Sequence, residues 1–342
     1  MLVKIKDICN ITMGQSPKSK YYSNTDGFPF LQGNRTFGLK YPFIDTYTTK
    51  ITKKAKVGSI LISVRAPVGD LNIANQEICI GRGIASLEAI DGDNEFLYYA
   101  LKSNMNNILN KGNGTTYDSI TVDALKEIEI NIPNNKQSRE KISKILSGID
   151  NQIERNNAMT KRLQVLGNTI YSKEINKDMK YFDLKTVANI STGKEDANFA
   201  SPNGKYNFYT CSEEISKCNE FAFDGNSILI AGNGNFNVKY YNGKFNAYQR
   251  TYVIQNDTLF GNIYYSSLRS VDGFTQNANG SIIKFITLGL VQDIQIPILS
   301  DKTNILLNDI VSQKNKIILD TEKLNQLKNT LLPLLINGQL EV

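Results

Sequence analysis

Two halves of this chain repeat one another, and no other feature narrows the fold as much. Asp7-Ile8-Cys9-Asn10-Ile11-Thr12-Met13-Gly14 is echoed by Thr186-Val187-Ala188-Asn189-Ile190-Ser191-Thr192-Gly193. Ser59-Ile60-Leu61-Ile62 matches Ser227-Ile228-Leu229-Ile230, and Arg82 and Arg250 follow at the same spacing. Tyr98-Tyr99 matches Tyr264-Tyr265. Ile120-Thr121-Val122 with Ile128 and Ile130 matches Ile286-Thr287-Leu288 with Ile294 and Ile296. The period is roughly 165–180 residues, about half of the 342, so each copy has the size of a domain.

Each copy opens with an irregular segment holding short strand-like runs, separated by Gly, Asn and Asp clusters. These run from Ser59 to Val64, Glu77 to Ile80 and Glu127 to Ile132, then Ser227 to Ile230, Ala247 to Ile254 and Asp293 to Ile298. Pro133 and Pro297 close the last strands. A long helix follows in each copy, roughly Gln137 to Glu174 and Thr303 to Ile336. The first seam is Ile142, Ile145, Ile149, Met159, Leu163, Leu166 and Ile170, with Gln152 and Asn156 as polar members. The second is Ile310, Ile317, Leu324, Leu327, Leu331 and Leu334, interrupted by Gln313 and Asp320. Steps of three and four at heptad spacing predict a coiled coil. At about 1.5 Å per residue each helix is on the order of 50 Å long, too long to bury its stripe on one small domain. The expected fold class is α+β. Two tandem globular domains of mixed α/β with short strands occupy 1–136 and 179–300. The helices at 137–178 and 301–342 separate them and form an antiparallel coiled coil with pseudo-twofold symmetry. The alternative is two amphipathic helices, each packed on its own domain.

Composition removes several functions. The chain contains no His, which excludes His general bases, His-containing triads and His-ligated zinc. Cys9, Cys79, Cys211 and Cys218 form no CxxC pair, so they read as free thiols in a reducing cytoplasm. The first residues are too short and too charged for a secretory signal, and no apolar run reaches the roughly 18–20 residues that span a bilayer. The net charge of +6 comes from residues 1–178 alone, which mildly favours an anionic partner there. So small an excess would neutralise few phosphates of a nucleic-acid partner, so that binding by the isolated chain would be weak.

Candidate contacts follow from residue chemistry. Gln15, Ser16, Lys18, Lys20, Tyr21 and Tyr22 make a polar, basic and aromatic loop. Asn34 and Arg35 follow a Gln-Gly pair, and Arg65 follows an apolar strand. Lys111, Asn113, Thr115 and Tyr117 lie in a Gly-rich turn. Asn233, Asn235, Asn237, Lys239 and Tyr240 form an amide-dense loop. Asn suits bidentate contact with adenine, and Arg suits guanine or a phosphate. Each set has an ordinary alternative as a solvated loop or turn. Because Arg82 and Arg250 recur in both copies, a fold-holding ion pair or a phosphate contact is favoured for them over base reading. Gly81 and Gly83 around Arg82 leave room for close backbone approach.

Several of these stretches resemble a known family. They are Ile11-Thr12-Met13-Gly14-Gln15-Ser16-Pro17, Phe28-Pro29-Phe30-Leu31-Gln32-Gly33, Ile62-Ser63-Val64-Arg65-Ala66-Pro67-Val68-Gly69-Asp70, Ile80-Gly81-Arg82-Gly83 and Gly114-Thr115-Thr116-Tyr117-Asp118-Ser119-Ile120. They resemble the target-recognition domains of specificity subunits of Type I restriction–modification enzymes, and the helix from Gln137 to Asn157 is similar to that family's central helix. The second copy departs, with Ala231-Gly232-Asn233-Gly234-Asn235 in place of Val64-Arg65-Ala66-Pro67. The resemblance implies a cytoplasmic, non-catalytic subunit that reads a bipartite target in double-stranded DNA. It implies two methyltransferase subunits that use S-adenosylmethionine, and up to two restriction subunits that use ATP and Mg. This chain would bind no cofactor and no metal itself and would have no membrane partner. In agreement, the sequence holds no Gly-x-x-x-x-Gly-Lys-Ser/Thr loop and no Asn-Pro-Pro-Tyr-like motif. The specificity chain of a related Type II system, or a two-headed coiled-coil scaffold for protein partners, would share the repeat and the helices.

Overall fold

The computed structural model describes residues 1–110, 119–176, 178–234, 236–276 and 285–342. They form two compact units, residues 1–152 with 324–342, and residues 153–323.

In the first unit the strands that frame the site are β1 (Leu2–Lys4), β2 (Cys9–Met13), β3 (Phe28–Leu31), β4 (Ile60–Ser63), β5 (Leu71–Ile73), β6 (Ile78–Ile80), β7 (Ile84–Ala89) and β8 (Glu129–Asn131). The helices are α1 (Asn94–Asn110), α2 (Val122–Glu127) and the start of α3 (Lys136–Glu174). One antiparallel sheet has the order β2-β7-β4-β5, with Ala85 opposite Met13, Ile84 opposite Ser63 and Ile60 opposite Ile73. A second sheet is centred on β3 and β6, which pair in parallel with Phe30 opposite Cys79. β1 pairs with β8. Successive side chains of a strand point to opposite faces, and β4 uses both. Ile60 and Ile62 enter the core with Leu97, Tyr99 and Ile142, while Leu61 joins Leu31, Ile78, Ile80 and Ile84 beneath the second sheet.

The second unit repeats this plan. It contains β9 (Tyr181–Asp183), β10 (Asn189–Thr192), β11 (Tyr206–Tyr209), β12 (Asn226–Ala231), β13 (Val238–Asn242), β14 (Phe245–Ala247), β15 (Thr251–Gln255) and β16 (Gln295–Pro297). Its helices are α4 (Phe260–Gln276), α5 (Leu288–Gln292), the rest of α3 and the start of α6 (Asp301–Ile336). The main sheet runs β10-β15-β12-β13, β11 pairs in parallel with β14, and β9 pairs with β16.

The long helices pack antiparallel inside each unit. In the first, Asp150 of α3 meets Lys328 of α6 at 2.6 Å, and the earlier Ile142 shares a core with the later Leu335 and Ile336. In the second, Asn156 donates to Thr321 at 3.1 Å, and Gln164 accepts from Lys314. The buried stripe differs from the expected seam. Ile145, Met159, Leu166 and Leu327 are exposed, Leu163 is only half-buried, and Gln152, Gln313 and Asp320 face outward. The buried apolar positions are Ile142, Leu146, Ile153 and Tyr171 on α3, and Leu307, Ile310, Val311, Leu332, Leu335 and Ile336 on α6. Most of these join the cores beneath the main sheets. Each helix therefore turns its stripe toward α1 or α4 as well as toward its partner, a mixture of the two packings that heptad spacing offered.

Tyr98-Tyr99 and Tyr264-Tyr265 lie on α1 and α4, helices that the strand-dominated sequence reading did not anticipate. The expected single strand from Ala247 to Ile254 is two strands, β14 and β15, broken by a turn at Tyr248–Arg250.

Candidate nucleic-acid interface

At one edge of the first unit four loops are hydrogen-bonded into a single surface. They leave β2 at Gly14, β3 at Gln32 and β4 at Val64, and enter β7 at Gly81–Gly83. Gly14 N donates to Ile84 O and Gln15 N to Ile80 O, both at 2.9 Å. Gly81 N donates to Leu31 O, Gly83 N to Gln32 O, and Val64 N to Gly83 O. Ser16 Oγ accepts from Arg82 N at 3.1 Å. The glycines allow this approach. A Cβ on Gly14 would stand 2.1 Å from Gly81 O, and one on Gly83 would stand 2.7 Å from Gln32 O. The close neighbour of Gly81 and Gly83 is thus the chain's own Gln32 loop.

This packing sorts the candidate side chains. Lys18, Arg65 and Arg82 are exposed and make no ion pair with the described residues. Gln15 is exposed, and its carbonyl accepts from Thr52 Oγ1. Lys20 lies 5.1 Å from the Tyr21 ring centroid, with Lys50 at 5.4 Å from the same ring. Tyr22 is tied into the fold, donating to Pro17 O and packing on Phe30. Asn34 Nδ2 donates to Asp70 Oδ2 and Pro67 O, which fastens the β3 loop to the β4 loop. Arg35 is neutralised by Asp45 at 2.7 Å, and that guanidinium, with Thr46, holds the Asp45 carboxyl below the usual carboxylate range. Lys111, Asn113, Thr115 and Tyr117 lie outside the described residues, as does Asn235.

The second unit builds the same edge. Gly193 N donates to Thr251 O as Gly14 N does to Ile84 O. Gly232 N donates to Arg250 O as Val64 N does to Gly83 O, and Thr251 N to Tyr248 O as Ile84 N does to Gly81 O. Gly232 O accepts from Ile286 N as Val64 O accepts from Ile120 N, and the bridge of Asn233 to Phe285 matches that of Arg65 to Ser119. These correspondences fix equivalence residue by residue. Asn233 stands at the place of Arg65, Gln249 at that of Arg82, and Arg250 at that of Gly83. The expected equivalence of Arg82 and Arg250 is therefore off by one position. A fold-holding ion pair is also absent from both, since each side chain is exposed and unpaired among the described residues. The signal that would have found Gln249 is alignment on the first residue of the following strand, Ile84 or Thr251, rather than on the shared arginine.

The expected amide-dense loop divides. Asn233, Asn237 and Arg250 belong to the edge, where Asn237 Nδ2 donates to Cys211 O and Cys211 Sγ to Arg250 O. Lys239 and Tyr240 are strand residues of β13. The Lys239 ammonium donates to Ser212 O and to Asn237 Oδ1 at 2.7 Å, and burial lowers its pKa. Tyr240 faces the core, stacked on Phe260 with centroids 5.1 Å apart and bonded to Asn226 Oδ1. Alternation along β13 places Val238 and Tyr240 against α4, on the face opposite Lys239.

Among the described residues no group of three Cys, Asp or Glu side chains could hold a metal ion, and no helix is long and apolar enough to cross a membrane. The edge offers unpaired cations and amides, with an aromatic ring, Tyr21, beneath ammonium groups. Nucleic acid is contacted through these groups.

Comparison with known proteins agrees with this chemistry. The family model of the Type I restriction modification DNA specificity domain matches residues 1–165 and 176–329. The chain is 37% identical over 172 residues to the type I restriction enzyme EcoDI specificity subunit of Escherichia coli, covering 48% of this chain and 39% of that protein. It is 30% identical over 164 residues to the type I restriction enzyme MjaIX specificity subunit of Methanocaldococcus jannaschii, covering 44% and 38%. The matched part is thus less than half of these relatives' own length. A crystal structure of the type-I restriction-modification system S subunit from M. genitalium superposes with a TM-score of 0.71 at 20% identity, over 98% of this chain and 96% of that one, which shows a shared fold.

Proposed function

Since the chain belongs to the Type I restriction modification DNA specificity domain family, we propose that it is the subunit that reads a two-part target in double-stranded DNA, one half-site per unit, and presents that DNA to adenine methyltransferase subunits. The observation that carries this reading is the edge built twice. Its hydrogen-bonded frame is the same in both units, while the side chains it displays differ, as two readers of different half-sites require. Bases are reached by side chains held at fixed positions, and phosphate contacts set the register.

The division of labour follows. This chain supplies recognition. Two methyltransferase subunits supply S-adenosylmethionine and the transfer step, and where two restriction subunits join they use ATP and Mg. The site of action is the cytoplasm, where the DNA lies. Alone, the chain binds DNA weakly, because few phosphates are neutralised by an excess of only six charges.

The deciding experiment is base-resolution methylation of host DNA with and without this chain, and with residues 1–136 exchanged for those of a relative. The expected result is one motif of two specified blocks around an unspecified spacer. It vanishes without the chain and changes in one block only on exchange. An unchanged methylome on deletion, or both blocks changing together, would defeat the proposal.

A further inference from the structure

The two edges present the same two positions, exposed at Arg65, Arg82 and Gln249 and half-buried at Asn233, and at both of them the residue types differ in one consistent way. The first unit carries Arg65 and Arg82, and the second carries Asn233 and Gln249. None of the four side chains makes a hydrogen bond or ion pair with the described residues, although their backbones are held firmly. Arg65 and Asn233 are pinned by the bridges to Ser119 and Phe285, Arg82 by Ser16 Oγ, and Gln249 by Glu195 O. In each unit one hydrogen bond, Val64 N to Gly83 O or Gly232 N to Arg250 O, couples the two loops that bear them. These are unpartnered polar side chains on an immobilised backbone, so that only the side chain itself has to be ordered on a base edge.

The chemistry of the four groups divides by unit. Guanine shows two acceptors, N7 and O6, to the major groove, and a guanidinium fork meets both. Adenine shows the N7 acceptor and the N6 donor, and a carboxamide meets both. We infer that these two positions are base-reading positions of the frame, and that the first unit reads guanine through Arg65 and Arg82 while the second reads adenine through Asn233 and Gln249. A phosphate role common to both units would call for a cation at both edges, and the second unit has neutral amides there. Its cation sits one residue further on, as Arg250, where the first unit has Gly83. Arg250 therefore takes the phosphate contact in the second unit, a place that Gly83 leaves without a side chain.

This inference rests on the recognition role proposed above, and its test separates the two. The full chain is assembled with its methyltransferase subunits and offered a DNA library randomised in both half-sites, and methylated molecules are sequenced. Arg65→Asn with Arg82→Gln should abolish the preference for guanine at two positions of the first block, or turn it to adenine, by roughly 5- to 150-fold at each position. The second block should be unchanged. Asn233→Arg with Gln249→Arg should act in mirror image on the second block. Arg65→Lys with Arg82→Lys keeps the charge and loses the fork, so guanine selectivity should fall while methylation persists. Thermal melting of each variant checks that the exposed substitutions leave the fold intact. If the lysine variant keeps full guanine selectivity, or the amide variant lowers methylation evenly over all sequences, these side chains grip phosphate and the inference is overturned with the recognition role intact. A wild-type first block without guanine overturns it as well. A wild-type complex with no two-block target removes both.

Discussion

Behind their shared edges the two units handle a buried cation in opposite ways. In the first, Asp150 lies at the centre of a buried set, accepting from Lys328 at 2.6 Å and from Tyr99 OH at 2.7 Å. The helix starts define its counterpart. Arg139 N bonds Asn135 O as Asn304 N bonds Ser300 O, so the place of Asp150 is taken by Asn315 in the second unit. The place of Tyr99 is likewise taken by Tyr265, whose buried hydroxyl has no partner among the described residues and lies over Gly167. The buried cation there is Lys314, held by Tyr264 OH at 2.6 Å and by Gln164 Oε1, with no carboxylate paired to it among the described residues. The frame thus depends on backbone hydrogen bonds that many side chains can satisfy. The interior polar groups are solved separately in each unit, because a buried charge must find its partners locally.

The comparison breaks most severely at the glycines of the frame. A Cβ on Gly14 would lie 2.1 Å from Gly81 O and one on Gly193 would lie 2.0 Å from Ala247 O, both backbone atoms that cannot turn aside. Gly14→Ala and Gly193→Ala should each cost about 4 kcal/mol, near the top of the range for one substitution. Urea unfolding followed by hydrogen exchange should show the loss in the substituted unit. If one unit tolerated the change, the two edges would not share a frame.

Next come the two interior solutions. Asp150→Ala leaves the Lys328 ammonium buried without its carboxylate and should cost about 3–5 kcal/mol. Asn315→Ala, at the equivalent place, should cost about 1 kcal/mol, since no charge is stranded. Equal losses in urea titrations would show that Asp150 is not a charge partner but a packing residue.

Lys314 sharpens the contrast through pH. Burial pushes its pKa from 10.5 down to about 8. The unfolded chain then holds this proton more tightly than the folded one, so stability rises with pH between about 8 and 10.5, and the penalty is complete below 8. Lys314→Met should therefore gain about 2 kcal/mol at pH 7, after allowance for partial exposure, and the gain should shrink toward pH 10. Lys328→Met should destabilise instead, because it strands Asp150. Melting curves at pH 7 and 9.5 measure both, and a gain from Lys314→Met that is the same at both pH values would show that the ammonium is not desolvated.

The repeat, the strands at Ile60–Ser63 and Asn226–Ala231, and the two long helices were legible in the sequence because each is a run of one hydrophobic period. The equivalence of the edge positions was not. Repeated letters align identities, whereas strand pairing aligns hydrogen bonds, and the two differ by one residue between Arg82 and Arg250. Lys239 and Tyr240 looked like loop because Asn and Gly flank them, yet Val238, Tyr240 and Tyr241 are residues that strands favour. The helix seams misled for a different reason. Heptad spacing describes a helix facing one partner, and here each helix also faces α1 or α4, which shifts the buried stripe onto Leu146, Ile153 and Tyr171.

The smallest expected effect tests whether the frame has the same strength in both units. α2 and α5 begin at matching caps. Thr121 Oγ1 accepts from Ala124 N at 3.2 Å, and Thr287 Oγ1 accepts from Leu290 N at 3.3 Å. Each cap follows the residue, Ile120 or Ile286, whose N–H holds the loop of Arg65 or Asn233. A threonine cap satisfies one otherwise unpaired helix N–H, and its replacement by Ala costs about 1 kcal/mol. Thr121→Ala and Thr287→Ala should therefore lose the same amount to within a few tenths of that value. Each should speed amide exchange at Ile120 or Ile286 in its own unit and leave the other unit unaffected. Unequal losses would mean that one reading loop is held by more than this frame. The side chain it carries, Arg65 or Asn233, would then be positioned differently from its counterpart.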